Sequence, residues 1–420
     1  MSTGLRILAV SDVSPVHIAG GGERVLWELA SRLRRRGHAV RILSRSPEGS
    51  HLERCEREGI PIRHFLADHR SALWFVATSI LRARRAVSKA VREERVDVLH
   101  LYQPFAGYGA LHSRRTRHVP VLYTFLSPAP LEYLSRIGMS SLHRSGLSGR
   151  AARFFLQRIE RACLQRADRI HVLSDFSAAQ VRDLYRIPAP RITKIPAGAD
   201  TERFRPAADR QAVRATLRLP AQSPLLLTIR NLEPRMGLDT LIRSMAILRR
   251  DVPSALLIVG GAGSLRECLE SLAASLDLGR HVRFVGYVPE PVLPLYYQAA
   301  DVFVLPTREL EGFGLISVEA MACGTPVLGT TAGATPEILE PLDPSLLLHE
   351  ATPEGIAEDL RRFLGDRAGD RSGALALRRA CREYVERHYT WDLATNSVEA
   401  LLGDLVSNGA AGPSARDAQP

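Results

Sequence analysis

VRFVGYVPEPVLPLYYQAADVFVLPTRELEGFGLISVEAMACGTPVLGT, residues 282–330, is the stretch on which the fold turns. Three short apolar runs, VRFVGYV (282–288), ADVFVLPT (300–307) and GTPVLGT (324–330), have the length and β-branched content of buried strands. Helical stretches lie between them. Strands alternating with helices bury both faces of a parallel sheet, the mark of an α/β protein. A strand ends at Pro306, a Gly-flexible turn follows, and a helix starts near Leu315.

The same alternation extends towards the N-terminus. SPLLLTIRN (223–231) and SALLIVGG (254–261) complete one series. An earlier series opens with LRILAVSD (5–12), a Gly-rich turn and a helix through ERVLWELASRLRRR (23–36) that ends at Gly37. HAVRILS (38–44), VDVLHLY (96–102), PVLYTFL (120–126) and DRIHVLS (168–174) continue it. Between the two series, after Pro188 and Pro190, RITKIPAGADTERFRP (191–206) is Pro- and Gly-punctuated and reads as a linker. Two Rossmann-like domains, 1–190 and 207–385, are the simplest architecture. Residues 406–420, rich in Gly, Ala, Pro and Ser, read as a disordered tail.

Composition bounds the class. The 420 residues are 45% apolar and 24% charged, an ordinary globular balance with length for two cores. The most apolar stretches, SALWFVATSIL (71–81) and SALLIVG (254–260), are too short to cross a membrane. The chain opens straight into a strand-like run, without the pattern of a secretory signal. Cys55, Cys163, Cys268, Cys323 and Cys381 are odd in number and scattered, which argues against a disulfide framework or a zinc site and fits a cytoplasmic protein. The net charge of +11 is uneven: residues 1–200 carry 33 basic against 17 acidic residues, and the remainder carries 23 against 28. Arginine supplies nearly all of it, with only Lys89 and Lys194 as lysines. The stretches 150–169 and 73–92 are basic and amphipathic, so each reads either as a face resting on an anionic membrane or as a helix with a solvated basic face. No nucleic-acid-binding module accompanies the charge.

The residues suited to chemistry concentrate in PTRELEGFGLISVEAMACGTPV (306–327). Glu311 stands in the turn, and Glu319 lies eight residues later, in the second turn of the helix. A carboxylate in the turn can accept hydrogen bonds from sugar hydroxyls, and one on the inner helix face can do so from ribose. Gly312 and Gly314 allow close backbone approach, and the helix N-terminus offers N–H groups to an anion. GGAG (260–263), with Gly261, reads as a phosphate or base wrap, or as a plain turn. Asp301 reads as functional or as a strand cap. Neither Asp-x-Asp nor a His-rich cluster stands where a catalytic ion would be needed, so no metal and no cofactor is expected.

The 306–327 string closely resembles the nucleotide-sugar signature of family-4 glycosyltransferases, two glutamates flanking seven residues that begin Gly-Phe-Gly. GGGERVLWELASRLRRRGHAV (20–40) resembles that family's opening loop and helix, and IPAGADTERFRP (195–206) its interdomain segment. TWDLATNSVEALL (390–402) resembles its terminal helix, which implies a helix over 386–405 crossing back to the first domain. The resemblance implies a GT-B fold, two Rossmann-like domains with parallel sheets facing an interdomain cleft. It further implies retaining transfer of a hexosyl group from a UDP- or GDP-linked sugar to an unidentified acceptor hydroxyl in glycan, glycolipid or natural-product biosynthesis. Glu319 would then bind the donor ribose and Glu311 the transferred sugar. Phe313, Gly314 and Leu315 would bring backbone to the sugar and phosphate, with Gly21 and Gly22 facing the diphosphate and acceptor.

Two departures from the family stand out. Its cationic loop of the type Gly-Arg-Leu-x-x-x-Lys-Gly is TIRNLEPRMGLDTLI (228–242) here, with Asn231 and Met236 at the usual Arg and Lys positions. Arg230 and Arg235, each one residue earlier, could supply the charge that a departing diphosphate needs. Leu126 stands where the family often has a histidine, and leucine can neither polarise a hydroxyl nor take a proton. His17, His100, Glu132 and Tyr133 are the remaining acceptor-side candidates, each also readable as structural. Two other readings stay open: a sugar-nucleotide epimerase on the same fold, and a non-catalytic nucleotide-sugar-binding subunit. The expected partners are the sugar donor, the acceptor and an anionic membrane surface at the inner face of the membrane, with no nucleic acid.

Overall fold

The computed structural model describes residues 4–16, 18, 20–47, 53–136 and 147–410. They fall into two compact units, one holding the residues up to 134, 147–196 and those from 391 on, the other holding 197–390.

In chain order the first unit contains β1 (Arg6–Ser11), α1 (Gly21–Arg35), β2 (Ala39–Arg45), β3 (Arg54–Arg57), β4 (Ile60–Phe65), α2 (Ala72–Glu93), β5 (Val98–Leu101) and α3 (Pro104–Leu111). It continues with β6 (Val121–Phe125), α4 (Ala129–Arg136), α5 (Leu147–Arg166), β7 (Arg169–Val172), α6 (Asp175–Tyr185) and β8 (Ile192–Lys194). Its sheet runs β3-β4-β2-β1-β5-β6-β7-β8, parallel throughout except for β3 against β4. Strands β5 and β6 are buried at every position, as expected of strands covered on both faces.

Three strands, β3, β4 and β8, differ from the sequence reading. Hairpin β3–β4 turns at Glu58 and Gly59, both at positive φ (48° and 75°), the requirement of a tight primed turn; a glutamate there conceals the signal. Residues Ile192–Lys194, inside the stretch read as a linker, form the edge strand β8 in register with β7.

The second unit contains α7 (Arg210–Thr216), β9 (Leu225–Ile229), α8 (Leu238–Leu248), β10 (Leu256–Gly260), α9 (Arg266–Ser275), β11 (Val282–Gly286) and α10 (Leu293–Ala299). It ends with β12 (Val302–Leu305), α11 (Leu315–Ala322), β13 (Val327–Gly329), α12 (Thr335–Leu339), α13 (Pro353–Gly369) and α14 (Arg371–His388). Its five-stranded sheet, β11-β10-β9-β12-β13, is wholly parallel. Asp301 resolves to a structural role. Its carboxylate accepts from the Leu225 N–H at 2.8 Å and pairs with Arg210 and Arg214 at 2.7 and 2.8 Å. Burial pushes this carboxyl up, and the two guanidiniums outweigh that effect and hold it below its ordinary value.

The last helix, α15 (Trp391–Ala410), belongs to the first unit. Its Glu399 accepts from Arg36 at 2.7 Å and from His38 Nε2 at 2.8 Å. Among the described residues, no helix is long and apolar enough to cross a membrane.

Candidate active site

The second sheet reverses its winding between β9 and β12, neighbours whose outgoing connections lead to opposite sides. In open α/β sheets the crevice at the carboxyl ends of such strands is where ligands bind. Arg230 follows β9 directly, and Thr307 and Glu311 follow β12. The three interlock. Arg230 Nη2 donates to Glu311 Oε2 at 2.6 Å, the Thr307 hydroxyl donates to the same oxygen at 3.0 Å, and Arg230 Nη1 donates to Thr307 Oγ1. The ion-paired side chains are only 3% and 11% exposed, so Arg230 is a buried, neutralised cation. Both bonds to Glu311 fall on Oε2. Arg235 Nη1 donates to the Leu310 carbonyl at 3.2 Å, and Leu310 itself sits at φ 60°. Arg235 thereby supports the turn that carries Glu311.

Gly261 explains how Arg230 is seated. A Cβ at that position would lie 1.8 Å from the Arg230 carbonyl oxygen, so only glycine lets the 260–263 turn pack on the strand end that carries Arg230. The Arg230 N–H donates to the Gly260 carbonyl at 3.0 Å, and the Leu232 N–H to Ala262 at 2.9 Å.

Helix α11 begins after Gly314, which takes φ 87°. Phe313 packs edge-on against Tyr389, ring centroids 5.8 Å apart, so its side chain is committed to the core and its backbone is what the turn can present. Leu315 and Gly312 are half-buried. Glu319, 2% exposed, accepts a hydrogen bond from the Tyr297 hydroxyl at 3.2 Å. Ser317, in the first turn of α11, is equally buried, and its hydroxyl has no partner among the described residues. The Arg230 Nε–H is likewise buried and unpartnered. Unpaired buried polar groups are rare, and at the N-terminus of a helix they suit an anionic ligand.

In the first unit, β1 and β5 form the corresponding pair. Gly21 and Gly22 open α1, and a Cβ on Gly22 would come within 3.2 Å of Gln103 Nε2 and 3.3 Å of a Leu126 methyl group. Gln103 Oε1 accepts from the Ser11 hydroxyl at 2.7 Å and the Asp12 N–H at 3.0 Å. Asp12 caps α3, accepting from the Phe105 and Ala106 N–H groups at 2.9 and 2.8 Å. Half-buried Glu132 accepts from the Ser127 hydroxyl at 2.7 Å. The loop between β6 and α4 is held from behind by Glu160, which accepts from the Ala129 N–H at 3.0 Å and from the Tyr185 hydroxyl. Burial, with some help from the charge of Glu132, pushes the Glu160 carboxyl up to about 8.

His100 lies inside the sheet, 1% exposed, in a hydrogen-bonded row whose direction can be deduced. His171 Nε2 must donate to the Ile195 carbonyl (2.9 Å), because a carbonyl only accepts. Burial pushes His171 down to about 4, so its Nδ1 is an acceptor, and the Thr124 hydroxyl donates to it at 3.0 Å. His100 Nε2 then donates to Thr124 Oγ1 at 2.7 Å. His100 is also held neutral by burial, and its Nδ1 accepts from Tyr102 at 3.2 Å. His17 lies outside the described residues, and so does the side chain of Tyr133.

A sequence model described as Glycosyltransferase Family 4 matches residues 19–203, and one described as Glycosyl transferases group 1 matches residues 209–388. A GDP-mannose-dependent alpha-(1-6)-phosphatidylinositol monomannoside mannosyltransferase of Mycobacterium tuberculosis is 31% identical over 295 residues, covering 67% of this chain and 75% of the relative. The chain belongs to glycosyltransferase family 4. A D-inositol 3-phosphate glycosyltransferase of Kineococcus radiotolerans is 29% identical to the enzyme over 392 residues, 86% of each chain. Among solved structures, sucrose-phosphate synthase from Thermosynechococcus elongatus superposes with a TM-score of 0.79 at 24% identity, covering 96% of this chain and all of that one. The likeness establishes the GT-B fold for the transferase.

The structure thus brings Glu311 together with Arg230 and sets Arg235 behind the same turn. Glu319 lies within the helix that follows, and Gly261 underlies the strand end. Sequence reading missed Thr307, Tyr297 and Ser317. Thr307 and Ser317 stand inside the motif beside its glutamates, where a hydroxyl is easily passed over. Tyr297 is 22 residues from Glu319 on a different helix, and no local pattern joins them. Among the described residues no group of three or more His, Cys, Asp or Glu is arranged to hold a metal ion.

Proposed function

We propose that the transferase moves a hexosyl group, with retention at the anomeric carbon, from a UDP- or GDP-linked sugar to an acceptor hydroxyl without a metal ion. The donor falls to residues 207–385 and the acceptor to residues 1–190, in the cytoplasm at the inner face of the membrane. The observation that carries the reading is the pair of buried polar groups on α11, the Glu319 carboxylate and the unpartnered Ser317 hydroxyl, beside the strand-order reversal. A nucleoside diphosphate suits both: ribose hydroxyls donate to the Glu319 carboxylate, and a phosphate oxygen accepts from the unpartnered Ser317 hydroxyl and the first N–H groups of the helix. Glu311 Oε1, which carries neither of the bonds from Arg230 and Thr307, is left to orient the sugar hydroxyls.

As the bond between the anomeric carbon and the diphosphate oxygen breaks, negative charge gathers on the leaving group, and the Arg230 Nε–H and Arg235 are the nearby donors suited to it. The acceptor oxygen bonds to the anomeric carbon on the face the diphosphate leaves, and its proton passes to the departing phosphate oxygen. No side-chain base is needed, in keeping with leucine at position 126. The mannosyl relative makes GDP-mannose the first donor to test.

The test is calorimetric titration of GDP, UDP, GDP-mannose and UDP-glucose, with chelator present, into wild type and Glu319→Ala. One nucleotide should bind wild type, and Glu319→Ala should weaken it about 10- to 100-fold, the worth of hydrogen bonds to a charged group. Equal affinity in the two proteins would remove Glu319 from the ribose site, and binding by neither nucleotide family would overturn the donor assignment.

A further inference from the structure

Six of the nine large apolar side chains exposed among the described residues lie on or beside two helices of the first unit: Leu66, Leu73, Trp74 and Leu81 at α2, Phe154 and Phe155 on α5. Leu73 is 78% exposed and Phe154 63%, so these are not the half-covered margins of a core. The inner faces of α2 (Ala83, Val87), α3 (Ala106, Ala110) and α5 (Cys163, Leu164) share one hydrophobic core. All three helices therefore cover the same side of the sheet, with α3 between the other two. Each helix leads back to the start of a strand, so the N-terminal halves of α2 and α5, which carry Trp74 and Phe154, lie towards the carboxyl edge of the first sheet. Gly22, Gln103 and Leu126 stand at that edge.

The charge around these side chains is predominantly positive, and Asp68, between Leu66 and α2, is paired with Arg70 at 2.7 Å. Helix α5 contains a single acid, Glu160, which is 1% exposed and whose pKa is raised by burial; the only acid of α2, Glu93, sits at its far end paired with Arg63. Arg84, Arg85, Arg158 and Arg161 are exposed and make no ion pair among the described residues. Arg158 lies over the Phe154 ring at 5.6 Å and Arg70 over Trp74 at 5.5 Å, which places guanidinium heads level with the exposed rings. Aromatic and leucine side chains at the height of exposed guanidiniums match the boundary between acyl chains and anionic headgroups.

We infer that the outer faces of α2 and α5 dock on an anionic lipid bilayer. A docked bilayer brings headgroups beside the carboxyl edge of the first sheet; this consequence rests on the transferase reading, whereas the docking itself does not.

The experiment is flotation of the full chain with vesicles of phosphatidylcholine alone and of phosphatidylcholine mixed with phosphatidylglycerol. The apolar variant is Leu73→Ser/Trp74→Ser/Phe154→Ser/Phe155→Ser, and the charge variant is Arg84→Glu/Arg85→Glu/Arg158→Glu. Wild type should float with the anionic vesicles only, and high salt should weaken it. The apolar variant should lose at least about tenfold in partitioning, and the charge variant about fivefold for each cation lost. Wild type that ignores anionic vesicles, or variants that float as wild type does, would overturn the inference. So would a wild-type dimer in light scattering that the apolar variant abolishes without any vesicle binding, since the face would then cover a second copy. Nucleotide titration on the same three proteins separates this from the donor reading: unchanged nucleotide binding with lost flotation supports the docking face, and failed nucleotide binding in wild type counts against the donor reading alone.

Discussion

Replacing Arg230 by methionine isolates the central interaction of the donor-side turn. Arg230 and Glu311 are buried together, and the 2.6 Å bond between them is backed only by Thr307. The Arg230→Met variant keeps the length and apolar stem of the side chain and leaves the Glu311 carboxylate with one hydroxyl donor. Breaking a buried pair on one side costs about 3–5 kcal/mol, because the remaining charge is desolvated without compensation. For a unit of this size about 1 kcal/mol corresponds to roughly 2–4 °C, so its unfolding transition should fall by about 6–20 °C. The double variant Arg230→Met/Glu311→Gln removes both charges and should recover most of the loss, since a buried pair and a neutral replacement are close in energy. Scanning calorimetry with urea unfolding on wild type, both single variants and the double completes the cycle, with the two units followed as separate transitions. A loss below about 1 kcal/mol in Arg230→Met, or a double variant no more stable than Arg230→Met, would refute the buried-pair account.

Two further outcomes follow from other contacts. Tyr297→Phe deletes the hydroxyl that donates to Glu319, and nucleoside diphosphate affinity should fall about 2- to 12-fold by calorimetry with little change in thermal stability; unchanged affinity would mean that Tyr297 does not orient the carboxylate. Glu160→Gln should flatten the pH dependence of stability. The folded state keeps a proton up to about pH 8 that an ordinary carboxyl sheds near 4.5, so the wild type loses stability as pH rises through that window, by at most about 1.4 kcal/mol per pH unit. Urea unfolding near pH 5 and near pH 8 should show the variant gaining on wild type at the higher pH, and parallel slopes would contradict the raised value.

The sheets were legible because their strands are buried on both faces and read as unbroken apolar runs between glycines and prolines. The pair Glu311 and Glu319 was legible because both lie in one string. What escaped has physical reasons. The β3–β4 hairpin turns on a glutamate at positive φ, where sequence patterns look for Asn or Asp. Edge strand β8 is three residues long and sits among prolines, so it resembles a linker. The sequence offers Arg230 as a source of positive charge but does not show that its two terminal nitrogens are bound within the turn, with Nε–H unpartnered. That pairing joins residues 81 apart and becomes visible only when β9 and β12 lie side by side. Tyr297 and Ser317 were hidden for a related reason: a tyrosine in an apolar run and a serine near a helix start look like packing and capping until the neighbouring elements are in place.

The row from Tyr102 to the Ile195 carbonyl has a further consequence, for strand alignment. Strands β5, β6 and β7 are apolar on both sides, and a slide of two residues along any of them would bury almost the same surface. Hydrophobicity therefore leaves their alignment underdetermined. The row does not: each link has one donor and one acceptor, in one order, and a slide would strand a buried imidazole and a hydroxyl at once. His100, Thr124 and His171 thus act as the alignment marks of the sheet, holding the first unit's carboxyl edge level so that the loops rising from it start at fixed heights.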